Sequence, residues 1–104
     1  MKSEDLINAF RNGLVKGTSN SMIILDNILF SYGSHFPLLI RLESDEGYKF
    51  ILNYTRYSTT TSKQQTYCRR ICGDDIISEK HWVDMMKLKN SNIKNVTELV
   101  ADSL

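Results

Sequence analysis

The chain reads as an α+β domain: an N-terminal helix, an antiparallel meander of three or four strands, then two or three helices packed on the sheet. Three observations predict it. Apolar residues recur at helical spacing near the N-terminus, alternate with period two through the middle, and return to helical spacing after residue 62. The chain has 104 residues, 41% hydrophobic and 24% charged. That is the size and composition of one globular domain, residues 1–104, with apolar surface for a small core.

The first element is an amphipathic helix over residues 4–16. Ser3 is a suitable N-cap, Glu4 and Asp5 suit the positive end of the dipole, and Gly17 can close the helix. Leu6, Ile7, Phe10 and Leu14 form its apolar stripe. A polar loop from Thr18 to Ser21 leads into two apolar runs flanking Asp26-Asn27, residues that tolerate positive φ, so a tight hairpin is expected. The pattern breaks at Gly33 and Ser34. Pro37 lacks a ladder donor and should begin a strand or lie on an edge. Phe36, Leu38, Ile40 and Leu42 then alternate with Leu39, Arg41 and Glu43, and Ser44 to Gly47 forms the next hairpin loop.

Residues 48–72 are the centre of the chain. Tyr48, Phe50, Leu52 and Tyr54 share one strand face, opposite Lys49, Asn53 and Thr55. A hydroxyl-rich turn follows, Ser58, Thr59, Thr60, Thr61 and Ser62. Ser62 and Gln65 have the spacing of a capping box for a helix from Lys63 to Cys72, and its exposed N–H groups and positive dipole end suit an anion. Tyr67, Cys68, Ile71 and Cys72 face inwards on it; Lys63, Thr66 and Arg70 form another stripe with Arg69 beside it, and Gly73 ends it. Ser78 can cap a further helix holding Trp82, Val83, Met85, Met86 and Leu88. After a polar break from Asn90 to Asn95, the capping-box pair Asn95 and Glu98 opens a last helix with Val96, Leu99, Val100 and Leu104. All helices are expected on one sheet face.

The net charge of +1 provides no global basic field, so a nucleic-acid contact must come from a local patch. No apolar run approaches the roughly 20 residues of a membrane span, and the N-terminus lacks the apolar stretch of a signal peptide. A cytoplasmic protein without a membrane contact is expected, in the host cytoplasm if the chain is viral. Cys68 and Cys72 lie four residues apart on one helix, poor geometry for a disulfide, so free buried thiols are expected.

Two stretches carry a resemblance. Tyr32-Gly33-Ser34-His35-Phe36-Pro37, then Asn53, then Tyr57-Ser58-Thr59-Thr60-Thr61-Ser62-Lys63-Gln64-Gln65 are similar to a poorly characterised group of small phage and mobile-element proteins. Those proteins show G-x-H-[FY]-P, then N, then Y-S-x-T-T-S-[KR]-H-Q. Gln64 stands where that pattern often has His, which counts against a catalytic reading. The resemblance covers about the middle third of the chain. It implies an accessory role, of the kind that acts by binding, including against host defence complexes.

The residues themselves point the same way. Arg56, Lys63, Arg69 and Arg70 lie close in sequence to Tyr54, Tyr57 and Tyr67, giving cations for phosphates and rings for unstacked bases. Ser58, Thr60, Thr61, Ser62 and Gln65 hold the turn and can donate to an anion, with Gly33, His35 and Pro37 shaping a neighbouring turn. The single Cys pair, even with His35 or His81, falls short of a zinc pattern, so no metal or cofactor is expected. No G-x-S-x-G elbow, P-loop or H-E-x-x-H motif appears, so no catalytic residue is assigned. The expected function is a phage or mobile-element accessory protein that binds a protein or ribonucleoprotein partner, inhibiting a host nucleic-acid-targeting defence complex in an anti-CRISPR-like manner. Direct DNA or RNA binding through the basic helix 63–72 is the alternative, and a small hydrolase using His35 or Cys68 the third. Trp82, Met85 and Met86 are a second contact candidate, and sheet edges leave room for a homodimer.

Overall fold

A computed structural model of the chain describes residues 2–19, 21–33, 35–91 and 93–103. The expectations for Leu104 and for the loop positions Asn20, Ser34 and Asn92 lie outside these residues. The elements are α1 (Ser3–Arg11), β1 (Lys16–Thr18), β2 (Met22–Leu25), β3 (Ile28–Ser31), β4 (Phe36–Ser44), β5 (Gly47–Asn53), α2 (Thr59–Cys72), β6 (Ile76–Lys80), α3 (Trp82–Asn90) and α4 (Val96–Ser103). The α+β class is as expected, but the sheet has six strands, in the order β1-β2-β3-β4-β5-β6.

The two extra strands lie at its edges. β1 occupies residues expected to finish the first helix. That helix stops at Arg11 because Gly13 takes φ +107°, open to glycine and strained for other residues, and the chain turns back to pair Gly17 with Ile24. Gly13, not Gly17, therefore closes α1, and Lys2, not Ser3, is at the N-cap position without a side-chain cap. β6 occupies the expected cap of the third helix: Ser78 pairs in parallel with Ile51, and His81 caps α3 instead. A parallel neighbour requires a long crossover, and α2 supplies it between β5 and β6.

The hairpin at Asp26-Asn27 forms as expected, with Asp26 at φ 58°. Pro37 sits near the start of β4 beside a bulge. Leu29 faces Leu39 while Phe30 faces Pro37, so Leu38 is the extra residue. Leu38 and Leu39 consequently join the same core cluster.

The helices cover both sheet faces, not one. Leu6, Ile7 and Phe10 of α1, with Cys68 and Cys72 of α2, pack on Ile24, Leu39, Phe50 and Leu52. On the other face Met85 of α3 and Ile93 pack on Ile28, Phe30, Ile40, Leu42 and Ile51, with Leu88, Val96 and Leu99 around them. β4 is therefore buried through seven successive residues, which hides its alternation. Arg41 lies inside this layer, 5% exposed. Its Nη1 donates to the carbonyls of Phe10 at 2.7 Å and Leu14 at 3.0 Å, and its guanidinium rests over the Phe10 and Tyr48 rings. A cation at the carbonyl end of α1 suits the helix dipole.

Candidate functional site: a basic cleft and an aromatic shelf at one end of the sheet

One end of the sheet collects the end of β3, the start of β4 and the ends of β5 and β6, because Ser31 pairs with Phe36, Leu39 with Leu52, and Asn53 with Lys80. The two sequence stretches singled out above therefore meet there. β5 and β6 are parallel, so α2 and α3 both start at this end.

Most of the motif's polar residues hold it together. Asn53 is buried and its Nδ2 donates to the Pro37 carbonyl at 2.8 Å, tying one stretch to the other. Gln65 donates to the carbonyls of Asn53 and Thr55 at 2.7 and 2.9 Å, bracing the β5–α2 connection. Gln64, also buried, accepts from Ser31 and donates to Ser21, both at 2.7 Å. The helix begins three residues before the expected Ser62 cap: Ser58 is the N-cap, its hydroxyl accepting from Thr61 N at 3.1 Å. The pair Ser62 and Gln65 is thus not a capping box; Gln65 points into the β5–α2 connection instead. Thr61 is buried, and Thr60 is exposed. The Ser58 hydroxyl also bonds the Tyr32 phenol at 2.7 Å, and hydrogen bonding to Ser58, then Thr60 and Thr61, holds that phenol below its ordinary pKa. Tyr32 takes φ 56°, a left-handed conformation that such a bulky residue adopts only when held, and Gly33 follows at 68°. His35 is exposed on the same loop.

The predicted cations separate. Arg69 and Arg70 leave α2 towards different neighbours: Arg69 Nη2 meets Glu79 Oε1 of β6 at 2.7 Å, and Arg70 Nη2 meets Glu4 Oε2 of α1 at 2.7 Å while lying over the Tyr67 ring. They do not form the single basic face expected of residues 63–72. Arg56 and Lys63 are exposed and, among the described residues, enter no ion pair.

The β5–α2 connection then divides the surface in two. Tyr54 and Arg56 point to one side, where with Ser62, Gln65, Thr66 and Arg69 they line a cleft of about 480 Å³. The four α2 residues share one helical face. No carboxylate is in that lining, although Glu79 holds Arg69 from its edge. Thr55 and Tyr57 point to the other side. Thr55 Oγ1 accepts from Trp82 N at 2.8 Å, docking the start of α3. Tyr57 packs against Tyr32 and Phe36 with centroids 5.3 and 5.0 Å apart, and lies parallel to Trp82 at 6.4 Å. Tyr57 remains 60% exposed and Tyr54 47%, with His81 edge-on to Tyr54.

No protein-family model, curated protein or solved structure matches the chain. The site is therefore read from its own geometry. The sequence named Arg56, Tyr57, Ser62, Gln65 and Arg69 for this region, put Tyr54 among its rings, and set Trp82 apart as a contact candidate on a later helix. His81 entered only as a metal-ligand candidate, and Tyr32 had no contact role. Nothing local joins Tyr32 or Trp82 to Tyr57, because they meet it through the pairing of the sheet.

Cys68 and Cys72 are free and buried. Burial pushes the Cys68 thiol well up, and pushes Cys72 to about 12, so both stay protonated at neutral pH. A Cys68–His35 dyad has no support in this arrangement, since the thiol is sealed in the core and His35 is exposed on the β3–β4 loop. Among the described residues no group of three or more His, Cys, Asp or Glu is placed to hold a metal ion, and no helix is long and apolar enough to cross a membrane.

Proposed function

We propose that the protein is a phage or mobile-element accessory factor that works by binding, and that the cleft and aromatic shelf together are its binding face. The partner is a protein or ribonucleoprotein of a host nucleic-acid-targeting defence complex, which the bound factor inhibits. One observation carries the choice of face. The motif's buried polar residues are spent on holding the β5–α2 connection, while Tyr54, Arg56, Tyr57 and Lys63 stand exposed around it. Tyr, Trp and Arg are the side chains most enriched where interfaces concentrate their binding energy. The accessory role rests on the sequence resemblance.

The test is capture of partners from host-cell lysate by wild type and by Arg56→Ala/Lys63→Ala, each with and without nuclease. Both substituted side chains are exposed and, among the described residues, enter no ion pair, so the double variant should keep its fold, checked by circular dichroism. The expected result is a partner that survives nuclease with wild type and is lost with the variant. Equal capture by both proteins removes the basic face from the reading. Partners that vanish after nuclease move the reading to direct DNA or RNA binding.

A further inference from the structure

We propose that the cleft between Tyr54–Arg56 and the Ser62–Arg69 face of α2 binds single-stranded nucleic acid, with phosphates on Arg56 and Arg69 and a base against Tyr54. This rests on the binding reading above and names what the cleft contacts within the partner complex. The lining is two guanidinium groups, two hydroxyls, a carboxamide and a phenol, with no carboxylate. Guanidinium forks match the oxygens of a phosphate better than an ammonium does. At about 480 Å³ the cleft is in the range that accommodates a nucleotide-sized group.

The ring decides between classes of polyanion. Tyr54 is 47% exposed at the mouth of the cleft, within the same lining as both arginines. An acidic peptide needs only the cations. A duplex presents sugars and phosphates outward and keeps its base faces stacked. An unpaired strand offers phosphate and base face together, and base–aromatic stacking is the main sequence-independent contact of single-strand binders. Gln65 holds the carbonyls on either side of Tyr54, so the ring and Arg56 stand on a braced segment.

Arg69 adds a distinguishing feature. Its guanidinium is bonded to Glu79 Oε1 at 2.7 Å, with both side chains nearly half exposed. A phosphate must compete with that carboxylate. Removing the carboxylate charge therefore strengthens strand binding, an effect in the opposite direction to ordinary surface damage.

The experiment is fluorescence anisotropy with a fluorescein-labelled oligothymidylate of about 12 nucleotides, a length within the site sizes of small single-strand binders. Wild type should bind at about 50 mM salt and weaken steeply by about 200 mM. Arg56→Ala and Tyr54→Leu should each weaken binding about ten-fold. Glu79→Gln should strengthen it about three-fold. Arg70→Ala, on the α1 side of the helix, should change it by less than about two-fold. Absence of wild-type binding at the lower salt overturns the proposal, as does an equal loss in Arg70→Ala and Arg56→Ala, which would mean diffuse charge. Competition by duplex DNA, by thymidine monophosphate or by polyglutamate as strong as by the unlabelled strand also overturns it, and assigns the cleft to a duplex, a mononucleotide or an acidic protein respectively. A nuclease-resistant partner that still needs Arg56, alongside a failure to bind the oligonucleotide, overturns this inference and leaves the binding reading standing.

Discussion

Arg41 ties the sheet to the end of α1. In the alternating pattern of β4 it stood with Leu39 and Glu43, opposite Phe36, Leu38, Ile40 and Leu42, and the structure buries it and aims it at the end of α1. It also reaches the Asp26 carbonyl at 3.3 Å, so one guanidinium joins a helix end to a hairpin turn. Burial lowers its pKa from an ordinary value so high that the group stays charged at neutral pH. Arg41→Met keeps the apolar stem over Phe10 and removes this donor from the Phe10, Leu14 and Asp26 carbonyls, of which Phe10 O still accepts from Gly13 N at 3.1 Å. The expected cost is on the order of 3 kcal/mol, read as a lower urea midpoint with an unchanged slope. No local pattern announces such a residue, because its partners lie 15, 27 and 31 positions away.

Helix α2 shows how far local signals reach. Its inward stripe of Cys68 and Cys72, with Tyr67 and Ile71 partly covered, follows from spacing alone. Its start did not. The run Ser58 to Ser62 offers several hydroxyls able to cap, and Ser58, the one that does, is also bonded to Tyr32 in the turn after β3. Ser58→Ala should cost about 1 kcal/mol from the lost cap. It also removes the Tyr32 partner and the first of the hydrogen bonds that lower the Tyr32 pKa, so the phenol should titrate at higher pH in the variant. Ultraviolet absorbance of tyrosinate, compared between the two proteins through alkaline pH, reads this directly. An unchanged titration curve would mean that the Tyr32–Ser58 bond is not held in solution. β1 and β6 were not legible because each is a short edge strand whose residues are mostly part-exposed. Their identity comes from the neighbour each one pairs with.

The whole molecule has two apolar cores on either side of one sheet, and β3, β4 and β5 contribute to both. Loss of either core should therefore take the sheet with it, giving one cooperative transition. Met85 is fully buried in the core under α3. Met85→Ala should cost about 2–4 kcal/mol. Far-ultraviolet circular dichroism and the fluorescence of Trp82, which packs against the opposite core, should shift together. Separate midpoints for the two signals would show that α3 and α4 melt as an independent layer. The cleft and the aromatic shelf belong to this scale as well. They lie together because the parallel pairing of β5 and β6 sets the starts of α2 and α3 at the same end, where Thr55 receives the first amide of α3.

By itself the sequence determined the α+β class, the helical face of α2, the hairpin at Asp26-Asn27 and the closeness of Arg56, Tyr57, Ser62, Gln65 and Arg69 around the β5–α2 connection. These are outcomes of periodicity and turn chemistry, which act over a few residues. Only the tertiary structure decided that Arg69 and Arg70 part company, that Tyr32 and Trp82 join Tyr57, and that the second helical layer lies on the far side of the sheet. The reason is that side-chain pairing across the sheet depends on register and on the crossover through α2. One bulge at Leu38 and one parallel strand rearrange the neighbours without altering any local pattern.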